Sequence, residues 1–372
     1  MVAPLYDGID IPFKKPEEAH SGLWFDRFFN RYDTNWDIKD TAKPEWIKSM
    51  SGPVGQTGQL ADFIKRQFSL VKQLHGTSQR YTTDWHFVTG MGNSHPVENG
   101  FSWHPTLAVP YIAGSAVKGL VRAWVELNED KLLDDDKAAR LKSWFGTEKK
   151  DDVAEQAGDF IFFDAIPEQR PSLIADIMTP HMGKWYSDGD ENRDLKPEAL
   201  PADWHEPIPV TFLAVKQAQF IFSIAPRKVQ QQTQLTEVFK ALEQALEWLG
   251  AGAKTGAGYG YMTQDDSFSK EMDEVLTKYN AELAKQTMSV QQQAISKVRE
   301  DFTEKQKLKN HNERVGGSLY NSFNALVKDV KGDVDGVWSD QDKKDLRELG
   351  NELLRFVGTN NKKIKDVLAP LD

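Results

Sequence analysis

Two helical segments, each with one apolar face, lie among short β-rich segments in the middle of the chain. Near 116–127 and 235–249, apolar residues recur at the i, i+3, i+4, i+7 spacing of a helix that packs on a sheet. Their apolar residues are Val117, Leu120, Val121, Trp124 and Val125 in the first helix, and Leu235, Val238, Phe239, Leu242, Leu246 and Leu249 in the second. The β-rich segments are Tyr81–Thr89, Ala108–Ala113, Asp159–Phe163, Ile208–Val215 and Gln219–Ala225. This order predicts an α+β sandwich with helices on one face of an antiparallel sheet.

The sequence also predicts three regions along the chain. Residues 1–75 are aromatic-rich and irregular, with one clear helix that Ser21 is expected to cap. The middle region, 76–265, carries the strands and helices described above, and its polar, Pro-rich stretch Ser187–Pro207 is expected to be a surface insertion. Residues 266–372 have no strand pattern and are typical of a small helical extension. That extension is expected to dock on a neighbouring protein; the alternative is that it covers a flank of the middle domain.

The composition excludes several classes of protein. The chain has 372 residues and no cysteine, which rules out disulfides, thiolate nucleophiles and cysteine-based zinc sites and fits a reducing compartment. The first residues contain no apolar run of signal-peptide length, and no segment has the roughly 18 uninterrupted apolar residues of a membrane-spanning helix. We therefore expect a cytoplasmic protein that does not enter a membrane.

The net charge of −10 bears on nucleic-acid binding. A protein that binds nucleic acid by itself through many phosphate contacts is typically basic. If this chain contacts RNA, we expect the contact to be local, with other subunits helping to hold the strand. The alternative interpretation is that the acidity serves solubility.

The segment Pro110–Gly119 predicts an anion site at the start of a helix. Gly114 permits a sharp turn after a strand that is expected to end at Ala113, and Ser115 is a candidate cap. The free N–H groups and positive dipole end of such a helix attract a phosphate. Lys118 and Arg122, four residues apart, project together from the solvent-facing side. The alternative is an ordinary capped helix with two solvated cations.

A glycine-rich loop, Gly250–Gly260, predicts a second phosphate contact, because its N–H groups can converge on an anion. It is neither a Walker A loop, since residue 253 is Ala, nor a Rossmann loop, since it runs from helix to strand. The residues expected to contact a sugar–phosphate backbone are Gly252, Lys254, Thr255, Gly256 and Gly258. The alternative is a flexible loop after a helix.

A third candidate is the segment Met178–Tyr186, in which a cation lies beside two aromatic residues. Such a group can stack on an unpaired base and neutralise its phosphate. The predicted contacts are His181, Lys184 and Trp185. The alternative is that these aromatic side chains pack on their own domain.

No catalytic constellation is evident in the sequence. The chain has no HExxH or GxSxG motif, and no metal site or cofactor is expected. Asp164 is a candidate catalytic residue that more often would cap a strand end. His86, His104 and His181 are candidate acids or bases of a metal-independent RNA endonuclease, which is the alternative function. A further alternative is a scaffold that contacts protein alone.

The paired motifs Gly114–Gly119 and Gly250–Gly260 resemble those of RAMP proteins, the RRM-like subunits of CRISPR systems. More narrowly, four segments resemble the RAMP proteins that form the sixth subunit of type III-B (Cmr) effector complexes. These segments are Thr89–Asn93, Gly100–Pro105, Gly158–Ala165 and Asp176–His181. The resemblance covers about residues 20–262 and is weaker in the helical extension.

This resemblance implies a ferredoxin-like (RRM-like) βαββαβ core with insertions and a non-enzymatic role in antiviral defence. It implies a subunit that caps the backbone of the complex and holds the 3′ part of the guide RNA, with the target RNA and other Cmr subunits as partners. In that family, target cleavage belongs to another subunit. The family's RNA contacts carry over to Ser115, Lys118, Lys254, Gly256 and Gly258, and we add Arg122 and the residues around His181.

Overall fold

The computed structural model describes residues 12–127, 137–147, 155–188, 200, 205–265, 268, 274–275, 277–279, 288–307, 313–334 and 336–371. The chain divides into two compact units, Met1–Leu276 and Thr277–Asp372. The predicted boundary at residue 265 stays a prediction, because most of 266–287 lies outside the described residues. Most of the predicted insertion Ser187–Pro207 lies outside them as well.

The first unit combines helices with antiparallel strands, as the α+β prediction requires. Its elements in chain order are α1 (Ser21–Arg27), α2 (Ala42–Ser49), β1 (Gly52–Pro53), α3 (Thr57–Gln73), β2 (Thr77–Thr83), α4 (Gly114–Leu127), α5 (Lys137–Arg140, continued by a π-helical turn over Leu141–Phe145), β3 (Gly146–Thr147), β4 (Gln156–Ala157), β5 (Phe160–Phe162), β6 (Ile166–Pro167), β7 (Ser172–Met178), α6 (Gly183–Asp188), β8 (Val210–Val215), β9 (Gln219–Pro226), a 3-10 turn (Val229–Gln234), α7 (Leu235–Trp248), a 3-10 turn (Thr255–Ala257) and β10 (Met262–Asp265).

The main sheet has the order β10-β2-β9-β5, and β6 also pairs with β9. All of these pairings are antiparallel. Alternate residues of a strand face opposite sides of its sheet. Accordingly, Phe220, Phe222 and Ile224 of β9 share a core with α4 and α7, whereas Ile221 packs with residues of α3. The two predicted helices therefore lie on one face, and α3 covers the other.

A second sheet has the order β1-β7-β8, and β3 pairs with β4. The second sheet meets the segment after β2, where Phe87 and Val215 exchange backbone hydrogen bonds of 3.0 and 2.8 Å. This contact explains an error in the predicted strands. The predicted strand Tyr81–Thr89 is β2 only as far as Thr83, and the rest of the segment leaves the main sheet to reach β8.

Three more sequence predictions are corrected in this unit. Residues 108–113 form no strand; they make isolated bridges, Trp103 with Pro110 and Ile112 with Ala165. The N-terminal region has three helices where the sequence indicated one. Ser21 is also not the cap of the first helix: His20 is, and its Nδ1 accepts a hydrogen bond from the N–H of Leu23 at 3.0 Å.

The second unit is helical, with α8 (Val290–Lys307), α9 (Ser318–Lys331), α10 (Asp340–Phe356) and α11 (Asn361–Leu368). Its own core includes Phe302, Phe323, Leu346 and Leu353. A capping box starts α10: Ser339 Oγ accepts from the N–H of Asp342, and Asp342 Oδ2 accepts from the N–H of Ser339, both at 3.2 Å. No helix in the described ranges has the length and apolarity to cross a membrane.

Candidate nucleic-acid interface

The glycine-rich loop folds back on the segment that follows β2. Gly252 and Gly260 have φ values of +84° and +77°, in the left-handed region that favours glycine. A Cβ on Gly252 would lie 2.2 Å from the carbonyl oxygen of Val88, and one on Gly260 would lie 1.9 Å from that of Ala251. These two glycines are therefore required by packing.

Much of the loop's hydrogen-bonding capacity is used inside the protein. The N–H groups of Ala251, Ala253 and Gly260 donate to the carbonyl oxygens of Gly260, Val88 and His86 at 2.8–2.9 Å. Those of Ala257, Gly258 and Tyr259 donate within the loop itself. The expectation that the loop's amides converge on a phosphate is thus too broad.

The outer part of the loop, residues 254–258, is what remains open to a ligand. Within the described residues, the N–H groups of Gly252, Lys254, Thr255 and Gly256 have no protein acceptor. Gly256 and Gly258 are exposed, and no atom lies within 4 Å of a Cβ built on either. A sugar–phosphate backbone can approach this stretch closely.

Lys254 stands at the base of this open stretch. Its backbone is left-handed, with φ 59° and ψ 29°, which is uncommon for a residue with a side chain. Its Nζ lies over the ring of Phe212, 5.3 Å from the centroid. No carboxylate among the described residues pairs with this ammonium group. The charge is thus held over an aromatic face and remains available to an anion.

An aromatic cluster that the sequence analysis missed lies beside the loop. The Tyr259 hydroxyl donates to Asp176 Oδ2 at 2.6 Å, and the Tyr259 ring lies 5.9 Å from Phe212 and 4.9 Å from Trp85. Burial and the bond to Asp176 raise the pKa of Tyr259, so its hydroxyl stays protonated. Burial lowers the pKa of His86, whose ring stacks on Trp85.

The third predicted segment starts at the same cluster. Met178, the last residue of β7, packs with Ala253 of the loop against Val88, Phe212 and Tyr259. His181 is exposed, and Trp185 is half-buried in α6. Lys184 belongs to α6, but its side chain lies outside the described residues.

The start of α4 differs from the prediction. The helix begins at Gly114, whose N–H donates to Asp164 Oδ1 at 2.7 Å, and Ser115 is an exposed residue of the first turn. Asp164, rather than Ser115, therefore caps this helix from another part of the chain. A carboxylate already balances the positive end of the helix dipole, and an added phosphate would face a like charge. Any anion contact of α4 depends on its cations.

Those cations form a group with Arg227, another residue that the sequence analysis did not single out. The pKa of Lys118 lies below its usual value because burial, then Arg227 and Arg122, disfavour its charged form. Arg122 Nε donates to Glu126 Oε1 at 2.8 Å, and Arg227 Nε donates to the carbonyl oxygen of Gly158 at 2.7 Å. Across the described part of the chain, no hydrogen bond, ion pair or ring contact joins this group to the glycine-rich loop.

The candidate catalytic histidines have different surroundings. His104 is buried, its Nδ1 accepts from the N–H groups of Thr106 and Leu107 at 3.3 and 3.2 Å, and burial lowers its pKa. His86 lies in the aromatic cluster, and His181 is exposed. In the described ranges, no group of three His, Asp or Glu side chains is placed to hold a metal ion.

The sequence pattern of the RAMP superfamily matches residues 80–263, which extend from β2 to β10 and include α4 and the glycine-rich loop. The chain belongs to the RAMP superfamily. Among RAMP proteins it is similar to the CRISPR system Cmr subunit Cmr6 of Pyrococcus furiosus, with 29% identity over 52% of this chain and 70% of the relative. It is also similar to Cmr6 of Saccharolobus solfataricus, with 34% identity over 25% of this chain and 29% of that protein.

The solved structure of the type III-B Cmr-β bound to cognate target RNA contains a chain that resembles this one. The TM-score is 0.46 at 22% identity, covering 63% of this chain and 76% of that chain. The match to the RAMP superfamily ends before the helical second unit.

Proposed function

We propose that this RAMP protein is a structural, non-catalytic subunit of a type III-B CRISPR effector complex, in which it caps the backbone and holds the 3′ part of the guide RNA. The observation that carries the proposal is the open stretch 254–258, with unpaired amides and an ammonium group held over an aromatic ring. Similarity to Cmr6 proteins supports the type of complex. The proposed partners are the guide RNA, the target RNA that pairs with it, and other Cmr subunits, in the cytoplasm.

We further infer that the core is ferredoxin-like. The elements β2, α4, β5, β9, α7 and β10 follow one another as strand, helix, strand, strand, helix, strand. Numbering these four strands by position in the chain gives the sheet order 4-1-3-2, with every neighbour antiparallel. This arrangement supports the βαββαβ core that the resemblance implies.

The proposal places little of the binding energy in this chain alone. Its net charge is −10, and the proposed contacts are one small group of cations at α4 and the single Lys254 of the loop. Sequence is read in such complexes by pairing between guide and target, while protein holds backbone and shape. We therefore expect the guide to be held jointly with neighbouring subunits.

The first prediction concerns the two contact points together. Changing Lys118 and Lys254 to Ala in the reconstituted assembly is expected to weaken retention of the guide. The dependence of log affinity on log salt concentration should also become shallower, by roughly 0.7 for each lost phosphate contact. Filter binding of labelled guide at several salt concentrations measures both quantities.

The matched control is the double change Lys39→Ala and Lys48→Ala, which removes the same charge from exposed lysines of the N-terminal region. The control should leave the salt dependence as it is in the wild type. Unchanged guide retention and an unchanged salt dependence in the Lys118/Lys254 variant would count against the site.

The absence of catalysis has its own test. Purified protein incubated with guide precursor in EDTA is expected to leave the RNA intact over hours, as followed on a denaturing gel. Discrete products that vanish after one change among His86→Ala, His104→Ala and His181→Ala would instead identify a metal-independent nuclease.

A further inference from the structure

The side chain of Trp85 is exposed in a part of the protein that is otherwise fixed. The residue is 49% exposed, although its neighbours Phe87 and Val88 are fully buried. The backbone around it is held on several sides: the N–H of Asp84 donates to the carbonyl of Tyr261, that of Gly260 to His86, and that of Phe87 to Val215. The indole therefore projects from a rigid base.

One face of the indole is covered, and the other is open. His86 stacks on Trp85 with ring centroids 4.6 Å apart and an interplanar angle of 21°. Tyr259 lies 4.9 Å from Trp85, and His86 and Tyr259 are 6.5 Å apart. Rings on opposite faces of the indole would be separated by about the sum of their distances to it, which is far more than 6.5 Å. Tyr259 thus does not cover the face opposite His86.

The same cluster reaches the open stretch of the loop. The Tyr259 ring contacts both Trp85 and Phe212, and Phe212 carries the ammonium group of Lys254 over its face. The backbone N–H of Tyr259 also donates to the carbonyl of Lys254 at 3.4 Å. A flat aromatic face and an unpaired cation beside free amides are the two elements with which proteins hold a nucleotide of a single strand.

We propose that Trp85 is a stacking platform for one unpaired base of the RNA whose phosphate is held by Lys254 and the amides of residues 254–256. This inference rests on the proposed function and adds a nucleobase site to it. The indole offers a flat face and no set of hydrogen-bonding groups aimed at a base edge, so the site takes any base, with purines favoured by their larger overlap. His86 beneath the indole fixes the ring plane, which lowers the entropy that stacking would otherwise cost.

An unpaired RNA base fits this site better than a protein side chain does. Within the aromatic cluster, Trp85 is exposed whereas Tyr259 and Phe212 are buried. The apolar surface that the cluster offers is therefore about one ring, which is too small an area for a stable protein interface. The adjacent loop also offers N–H donors and a cation, which together suit a phosphate.

The test compares two single-stranded probes that have the same phosphates. One is a uridine decamer, and the other is the same decamer with an abasic ribose at every position. Binding of each to the full chain is measured by fluorescence anisotropy at low ionic strength, where phosphate contacts are strongest. The quantity of interest is the ratio of the two dissociation constants, because it cancels the contribution of the phosphates.

Wild-type protein is expected to bind the uridine decamer roughly tenfold more tightly than the abasic one. Trp85→Leu should bring the ratio close to one, and Trp85→Phe should keep most of it. Trp36→Leu is the matched control, since Trp36 is 53% exposed and its ring packs with Tyr32, which is not part of the aromatic cluster beside the loop; it should keep the wild-type ratio. Lys254→Ala should weaken both probes equally and leave the ratio intact.

The outcomes separate this inference from the proposed function. Binding that depends on Lys254, with a ratio that Trp85→Leu does not change, would overturn the stacking site and leave the phosphate contact standing. Loss of a neighbouring subunit in Trp85→Leu with an unchanged ratio would assign the indole to a protein interface and also overturn it. Failure of the wild type to bind either decamer would overturn the stacking site, whereas the proposed function is tested separately by guide retention in the reconstituted assembly. Thermal denaturation confirms that each variant is folded. Trp85→Phe tests the stacking site independently of Trp85→Leu, because it keeps an aromatic ring at this position.

Discussion

Replacing Arg80 by Met is expected to lower the free energy of unfolding of the first unit by about 3 kcal/mol. Arg80 lies in β2, and its side chain is 8% exposed. Its guanidinium bonds two carboxylates at once, Glu168 at 3.0 Å and Asp265 at 2.7 Å. Met fills much of the space but removes the guanidinium group that both carboxylates bond. Because both carboxylates keep some exposure to water, the loss should be at the lower end of that seen for buried pairs.

Hydrogen exchange of the β2 and β10 amides, followed by mass spectrometry in increasing urea, measures the loss of unfolding free energy in the strands that carry Arg80 and Asp265. The second unit, which is compact by itself, provides an internal reference in the same measurement. Lys43→Met is the matched control, because it removes an equally charged group from an exposed pair with Glu98 and should cost less than about 1 kcal/mol. Equal losses of unfolding free energy in the two variants would show that the buried pairing of Arg80 stabilises the protein no more than an exposed ion pair does.

The sequence was most informative where a periodic pattern coincided with a regular element. The two predicted helices match α4 and α7 to within two residues at each end. Their apolar faces pack on a sheet, and this packing requires apolar residues at the i, i+3, i+4, i+7 spacing seen in the sequence. The strands were harder, since residues 84–89 look like a continuation of β2. Residues 84–89 include apolar side chains because Phe87 and Val88 are buried. These two residues pack in core clusters outside the β2 pairing.

The candidate site was predictable in part, for a similar reason. The glycines of 250–260 marked a loop with unusual backbone geometry, and five positions in that range do have positive φ. The glycine pattern could not predict which amides donate hydrogen bonds inside the protein. Two of their acceptors, His86 and Val88, are more than a hundred residues away in the chain. The cap of α4 was missed for the same reason: Asp164, which accepts from the N–H of Gly114, is 50 residues away in the chain. Trp85 gave no signal, since a single exposed aromatic residue belongs to no periodic pattern.

The glycines of the loop also allow folding and RNA contact to be separated. Gly260→Ala is expected to destabilise the first unit by on the order of 3 kcal/mol, because two costs add. The position has a φ of +77°, and the new Cβ would overlap the carbonyl oxygen of Ala251 at 1.9 Å. Relief requires residues 260 and 251 to move apart, which disturbs the hydrogen bond from the N–H of Ala251 to the carbonyl oxygen of Gly260. Urea denaturation measures the loss, and guide retention should fall with it.

Gly256→Ala is the counterpart within the same loop. No atom lies within 4 Å of its Cβ position, and Gly256 is exposed, so the free energy of unfolding should change by less than about 0.5 kcal/mol. The added methyl group nevertheless stands where we propose that the phosphate backbone approaches. Gly256→Ala should therefore weaken RNA binding in a fully stable protein, and the larger Gly256→Val should weaken it further. If both variants bind RNA as the wild type does, the contact at this loop belongs to the Lys254 side chain, and the open amides of residues 254–256 take no part in it.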